Sequence, residues 1–239
     1  MSALGAVRFA QYAYPPNELG YCGPEGAQAM LEPDAGAEIA RRARLFEGAW
    51  SYLELLAEVA GRSDPLDMEV VDAYWLGGPL LAEVAPGLLV ARLEDRFRGQ
   101  LGGSWRAAGA RAVPHHSFQV FEVYPWGAML RAGRPPGPAV TVLDRCRIRT
   151  GLVVAVSGEC VEVRTRPLVW DGDGLVAGPE VTEAARWSVE GSSLIEPPVS
   201  GETVALHWDW VCDVVSPLQA GWVADLEART LAGAGLRDG

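Results

Sequence analysis

Cys146-Arg-Ile-Arg-Thr-Gly151-Leu-Val-Val-Ala-Val-Ser-Gly158 is the stretch at which this chain changes character. β-Branched and aliphatic residues crowd Ile148–Val156, a composition that suits a pleated, half-buried surface better than a helix. Ser157-Gly158 carries turn chemistry and Cys160–Val163 resumes the pattern, so the segment reads as strands separated by a short break. A second run, Gly201-Glu-Thr-Val-Ala-Leu-His207-Trp-Asp-Trp-Val-Cys212, has the same character and continues to Ala220. Each run carries one soft or borderline metal ligand, a thiol at Cys146 and an imidazole at His207. The chain between them is long enough to fold back and bring the two together.

Working outward, Val140–Leu143 extends the β-rich region upstream. Pro167–Trp170 and Ala184–Trp187 are further strand candidates around a turn at Asp171-Gly172-Asp173-Gly174. The spacing predicts a small barrel. Arg145, Arg147 and Arg149 would share one solvated strand face, because side chains alternate along a strand. The region ends in a helix: Ser216 is an N-cap, Pro217 suits the first turn and Gln219 stands at the capping-box position. Residues 233–239 are predicted to form a flexible tail.

Upstream, Gly133-Arg-Pro-Pro-Gly-Pro138 is linker-like, with three prolines and two glycines in six residues. Residues 1–132 are predicted to be mainly helical. Over Glu38–Ala60, Ile39, Ala43, Phe46, Trp50, Leu53 and Ala57 recur at helical spacing. A second helix runs to about Leu76 and a third covers roughly Gly87–Gly99. Phe9–Pro24, aromatic and carrying Pro15-Pro16, is expected to be an irregular loop over a core or pocket. Pro114–Trp126 reads as a strand, with Phe118 and Val120 on one face and Gln119, Phe121 and Val123 on the other. The fold class is therefore α+β: residues 1–132 helical, 133–138 a linker, 139–232 a barrel with a C-terminal helix.

The bulk composition narrows the function. Of 239 residues 49% are hydrophobic, enough for a substantial core, and the net charge is −11 with Arg supplying all 20 basic residues. An acidic chain with no basic run is a poor nucleic-acid binder. No uncharged apolar run reaches about 18 residues, so no membrane span is expected. The N-terminus lacks a secretory pattern, and a cytoplasmic location is expected. The four cysteines include no Cys-x-x-Cys pair, which argues against zinc-ribbon and thioredoxin-type chemistry. A second set of candidate ligands lies in the first half: Cys22, beside a candidate helix start where a thiol can become acidic, together with His115, His116 and Glu122.

Cys146, Gly151, Val153, Val156 and Gly158 fill, without a gap, the pattern Cys-x4-Gly-x-Val-x2-Val-x-Gly. Gly201, Val204, His207, Val211 and Ala220 fill a second pattern, a Gly-Asp-x-Val-x-Val-His strand followed by an apolar continuation and a helix. In this the second half resembles the HypC/HupF family of NiFe-hydrogenase maturation chaperones. The chain departs from that family in having Thr150 where proline stands, and in carrying the cysteine internally. The whole chain, with its Tyr14-Pro-Pro-Asn-Glu-Leu-Gly-Tyr-Cys-Gly-Pro24 opening, also resembles an uncharacterised bacterial family.

The HypC/HupF resemblance implies a HypC-like barrel that carries an iron group, Fe(CN)2CO, between a HypD-like scaffold and the hydrogenase large-subunit precursor. It further implies Cys146 as iron ligand and partner-contact thiol, with His207 at the same site. Three functions stand open on the sequence. One is a non-catalytic maturation or assembly factor. Another is an enzyme using Cys22 with His115 or His116, since a Cys–His pair supports nucleophilic catalysis. The last is a protein-interaction module without metal, in which Cys146 is a core residue.

Overall fold

The structure is a computed structural model and describes residues 3–98 and 104–233. Its helices are α1 (Ala3–Glu18), α2 (Gly36–Ala43), α3 (Glu47–Val59), α4 (Met68–Trp75), α5 (Pro86–Arg96), α6 (His116–Phe118), α7 (Pro125–Arg131), α8 (Pro136–Cys146) and α9 (Pro217–Gly233). The strands are β1 (Arg149–Ser157), β2 (Cys160–Thr165), β3 (Leu168–Trp170), β4 (Leu175–Ala177), β5 (Val181–Arg186), β6 (Thr203–His207) and β7 (Trp210–Val214). The class is α+β: a helical first half, then a sheet region, then a C-terminal helix.

Five strands close in the order β1-β2-β5-β7-β6, with β6 returning to β1, while β3 and β4 form a separate hairpin. The interior is filled by Val153, Val161, Val163, Ala185, Val204, Leu206 and Val211. Two glycines of the opening stretch have separate physical reasons. A Cβ on Gly151 would meet the Val163 side chain at 2.2 Å, so β1 and β2 approach closely there. Gly158 sits at φ +58° in the β1–β2 turn, a conformation that costs other residues. The α9 start follows its cap: the Ser216 backbone N–H donates to Gln219 Oε1 at 3.0 Å, and Gln219 N–H donates to Ser216 Oγ at 3.3 Å.

Four stretches differ from expectation. Phe9–Pro24 is not a loop from its start: α1 runs through Pro15 and Pro16 to Glu18. Ala6, Phe9, Ala10, Tyr12, Ala13 and Tyr14 are all buried, so packing overrides the proline penalty. Glu38–Ala60 is broken into α2 and α3, with Phe46 in a non-helical conformation at the joint. The buried Arg42 guanidinium there donates to the Pro24 and Glu25 carbonyls at 3.2 and 2.6 Å, fastening α2 to the turn after α1. The expected strand over Pro114–Trp126 is α6 followed by a π-helical turn, Gln119–Val123. Every residue of Phe118–Val123 is buried, so the two-faced pattern reflected burial all round, which periodicity alone does not distinguish from a strand.

The fourth, Val140–Leu143, lies within α8. Pro136 starts that helix, where a missing N–H costs nothing, and Ala139, Leu143 and Cys146 form its buried stripe. Arg145, Arg147 and Arg149 therefore do not share an exposed strand face. Arg147 and Arg149 are buried: Arg149 pairs with Glu183 at 2.6 Å, and Arg147 with Asp144 at 3.1 Å and with Glu227. The expected tail lies outside the described residues from position 234 onward.

One core cluster runs through both halves, from Ala6 and Phe9 of α1 to Ala205, Trp210 and Cys212 of the sheet and Val223 and Leu226 of α9. Helix α1 thus serves both halves. Arg8 reinforces this, pairing with Asp72 of α4 at 2.6 Å and with Asp213 of β7.

Candidate functional site

The backbone brings Cys146 beside the end of β6. Trp208, in the two-residue turn from β6 to β7, donates its N–H to the Arg145 carbonyl at 2.7 Å. Its own carbonyl accepts from Arg149 at 2.7 Å. Together these bonds tie the last turn of α8 and the start of β1 to the turn that follows His207. Trp208 has φ +57°, a left-handed conformation that disfavours side chains, and its indole stacks on Tyr21 with ring centroids 4.2 Å apart.

His207 is fully buried. Its Nδ1 lies 2.7 Å from the Tyr12 carbonyl and must donate to it, which leaves Nε2 as a bare lone pair; that atom has no hydrogen-bond partner. The carbonyl is available because of α1: in a helix the Tyr12 C=O would accept from residue 16, and Pro16 has no N–H.

His116 enters from α6. Its Nε2 lies 2.7 Å from the Cys146 carbonyl and Nδ1 lies 3.3 Å from the Tyr74 hydroxyl. Trp75 flanks both imidazoles, with ring centroids 4.7 Å from His116 and 5.7 Å from His207. His116, Cys146 and His207, all buried, each offer one ligand atom, and these lie within 4.8 Å of one another.

These residues share a cavity of about 250 Å³, with Pro16, Tyr21, Cys22, Phe46, Tyr74, Trp75, Tyr124, Trp126 and Trp208 also in its wall and no Asp, Glu or Arg. Burial governs the ionisation. It lowers His116 to about 4 and holds His207 well below the usual imidazole value, in the latter case with the neighbouring His116 adding to the effect. It raises the Cys146 thiol and pushes Cys22 up to about 12. Near neutral pH, without a cation, the site is a protonated thiol beside two neutral imidazoles. The indole N–H of Trp75 is buried without an acceptor, whereas that of Trp208 is directed at the Cys146 sulfur. A soft or borderline cation suits this donor set, and a small hydrogen-bond acceptor suits the Trp75 indole.

Cys146 and His207 are thus brought together, and His116, assigned to the secondary set from sequence, joins them. Cys22 lines the same cavity but lies outside the three-ligand cluster, and its raised pKa is the reverse of an acidic helix-start thiol. His115 points elsewhere: Nδ1 accepts from the Ser117 N–H at 3.0 Å, capping α6, and Nε2 donates to the Trp75 carbonyl at 3.1 Å. Glu122 is taken up by Arg131 at 2.9 Å, by Arg111 and by Ser104. Trp75 and Trp208 were missed; the positive φ of Trp208 leaves no sequence signal, since Asn or Gly is the residue that marks such a turn.

The fold and site define an α+β protein with a buried thiol–imidazole centre under an apolar cavity. The chain belongs to the family of unknown function DUF6390, which it matches over residues 1–237. Neither the curated proteins nor the solved structures compared gave a match. The expectation of an uncharacterised family is met, whereas the likeness to HypC/HupF rests on the quoted motifs alone. Among the described residues no helix is long and apolar enough to cross a membrane.

Proposed function

We propose that this protein is a non-catalytic maturation or assembly factor of the HypC type, which holds an iron group for a NiFe hydrogenase while docking its precursor or a scaffold. The observation that carries the reading is the meeting of Cys146 and His207, from separate elements, in one cavity wall. Those are the two residues the motif resemblance singles out. Thiolate and imidazole suit low-spin iron. The cavity is apolar and shielded from charge, which suits a cargo that water would degrade. The unpartnered indole N–H of Trp75 suits a cyanide ligand, whose nitrogen accepts a hydrogen bond.

The ionisation state favours holding over catalysis. A nucleophilic cysteine needs thiolate character from a nearby base or positive charge. Here burial keeps Cys22 and Cys146 protonated, and the imidazoles beside them are neutral. Nothing observed favours the Cys22–His115 pairing, because both nitrogens of His115 are already used.

The test is anaerobic affinity capture from cells making a NiFe hydrogenase. The native chain is expected to bring down the large-subunit precursor or scaffold, with iron and infrared bands from cyanide and carbonyl. Cys146→Ser is expected to lose the bands while keeping the fold. Capture of neither protein by a folded native chain, or bands that survive in Cys146→Ser, would overturn the reading.

A further inference from the structure

We infer that His116 is the third protein ligand of a mononuclear site for a soft or borderline divalent cation, made with Cys146 Sγ and His207 and open at a fourth position toward the apolar cavity. This deepens the reading above by sharing Cys146 and His207, yet needs no hydrogenase to be true. His116 lies outside both stretches that carry the resemblance, and the helical half supplies it.

Three independent features point to a cation. The ligand atoms of the three residues lie within 4.8 Å of one another. Around a tetrahedral centre with bonds of 2.0–2.3 Å such atoms are about 3.5 Å apart, so closing the site takes a shift of about 1 Å, a side-chain adjustment. Next, His207 Nε2 is fully buried with no partner, which is costly for a polar atom unless something binds it. Finally, the outer contacts are those of ligating histidines. The Tyr12 carbonyl fixes the tautomer of His207. The Cys146 carbonyl does the same for His116 by accepting from its Nε2–H at 2.7 Å, which leaves Nδ1 as the ligating atom once the Tyr74 hydroxyl, 3.3 Å away, turns aside.

The donor set defines the cation class. One thiolate and two imidazoles, with no carboxylate in the cluster, suit Fe(II), Co(II) or Zn(II) and not Mg(II) or Ca(II). A dication bound to one thiolate keeps one positive charge in a buried place. An anionic fourth ligand from the cavity would cancel it, and Trp75, whose indole N–H has no acceptor, lines the same cavity.

The experiment is anaerobic titration of the metal-free full chain with Co(II). One cobalt per chain is expected, with a thiolate-to-cobalt charge-transfer band and the intense visible bands of a four-coordinate ion. About one proton per cobalt should be released near neutral pH, because a thiol gives up its proton to ligate. X-ray absorption of the loaded native chain should show one sulfur and two imidazoles. His116→Gln should weaken binding by about a hundredfold, the upper end of what even an outer-contact change costs. Cys22→Ser, in the same cavity wall but outside the cluster, should bind as the native chain does. Absence of the charge-transfer band, a single imidazole at the metal, or undiminished affinity in a folded His116→Gln chain would overturn the assignment. The absorption measurement uses the native chain, so it decides the matter even if that variant does not fold. Cobalt binding without partner capture would uphold this site and sink the hydrogenase reading; capture without cobalt binding would do the reverse.

Discussion

His115 and His116 are neighbours in sequence and opposites in role, and the difference is in what their rings face. His115 spends both nitrogens on backbone groups, one capping α6 and one holding Trp75. His116 faces Cys146 and His207; its Nε2–H donates to the Cys146 carbonyl, and its Nδ1 accepts from the Tyr74 hydroxyl, a side chain that can turn aside for a metal. All three histidines are buried neutral, which makes a pH dependence. Burial lowers His115 to about 3 and His116 to about 4 from 6.5, and holds His207 well below 6.5. Above pH 6.5 neither the folded nor the unfolded state binds these protons, so nothing is lost. As pH falls below 6.5 the unfolded chain takes up protons that the folded chain refuses, and stability drops until the folded values are reached. For His116 alone the loss at pH 5 is about 2 kcal/mol. Denaturant melts of the metal-free protein between pH 7.5 and 5 should show this decline, reduced by that amount in a folded His116→Gln chain. A flat profile would mean that the histidines are solvated.

At the scale of elements, the informative one is α1, because its prolines do not end it where residue preferences say they should. Pro16 removes the N–H that would have occupied the Tyr12 carbonyl, and His207 takes its place. The proline is therefore a positioning residue for the candidate site. Pro16→Ala should restore the competing N–H and weaken Co(II) binding by about tenfold, the lower end for an outer contact. Helicity by circular dichroism should be unchanged or higher. A role in helix shape alone predicts altered stability with native cobalt affinity. The same element shows the limit of local chemistry: Pro15 and Pro16 favour a loop only where the helix they interrupt is poorly packed. Residues Phe9 to Tyr14 are instead enclosed by α2, α4 and the sheet. Helix α8 makes the complementary point. Val140-Thr-Val142 has strand composition, yet Pro136 opens a helix whose buried stripe ends on Cys146.

For the whole molecule, the decisive feature is that the core does not stop at the linker-like segment 133–138. Ala205, Trp210 and Cys212, on the sheet, are buried in the cluster that contains α1 and α4, and α9 packs back with Val223 and Leu226. Fragment 139–239, made alone, would expose that face. It is expected to bind a hydrophobic dye and to melt without a cooperative transition, while co-expressed halves associate. A cooperative melt and dispersed amide resonances from the isolated fragment would show that the shared core contributes little. The candidate site depends on the same union, since His116 comes from the first half, and Cys146 and His207 come from the second.

The sequence by itself determined the α+β division, the strands on either side of Gly158, the turn at Asp171–Gly174 and the capped C-terminal helix. These rest on local chemistry: β-branched content, left-handed glycine turns and a reciprocal cap. It also singled out Cys146 and His207, through the spacing of two motifs. Only the tertiary structure decided that they meet, that His116 rather than His115 joins them, and that Trp75 and Trp208 wall the cavity. Those facts depend on long-range packing of α1 against α4 and β6, and on one carbonyl left free by a proline. Local spacing carries no record of either, because residues far apart in the chain become neighbours only when the shared core forms.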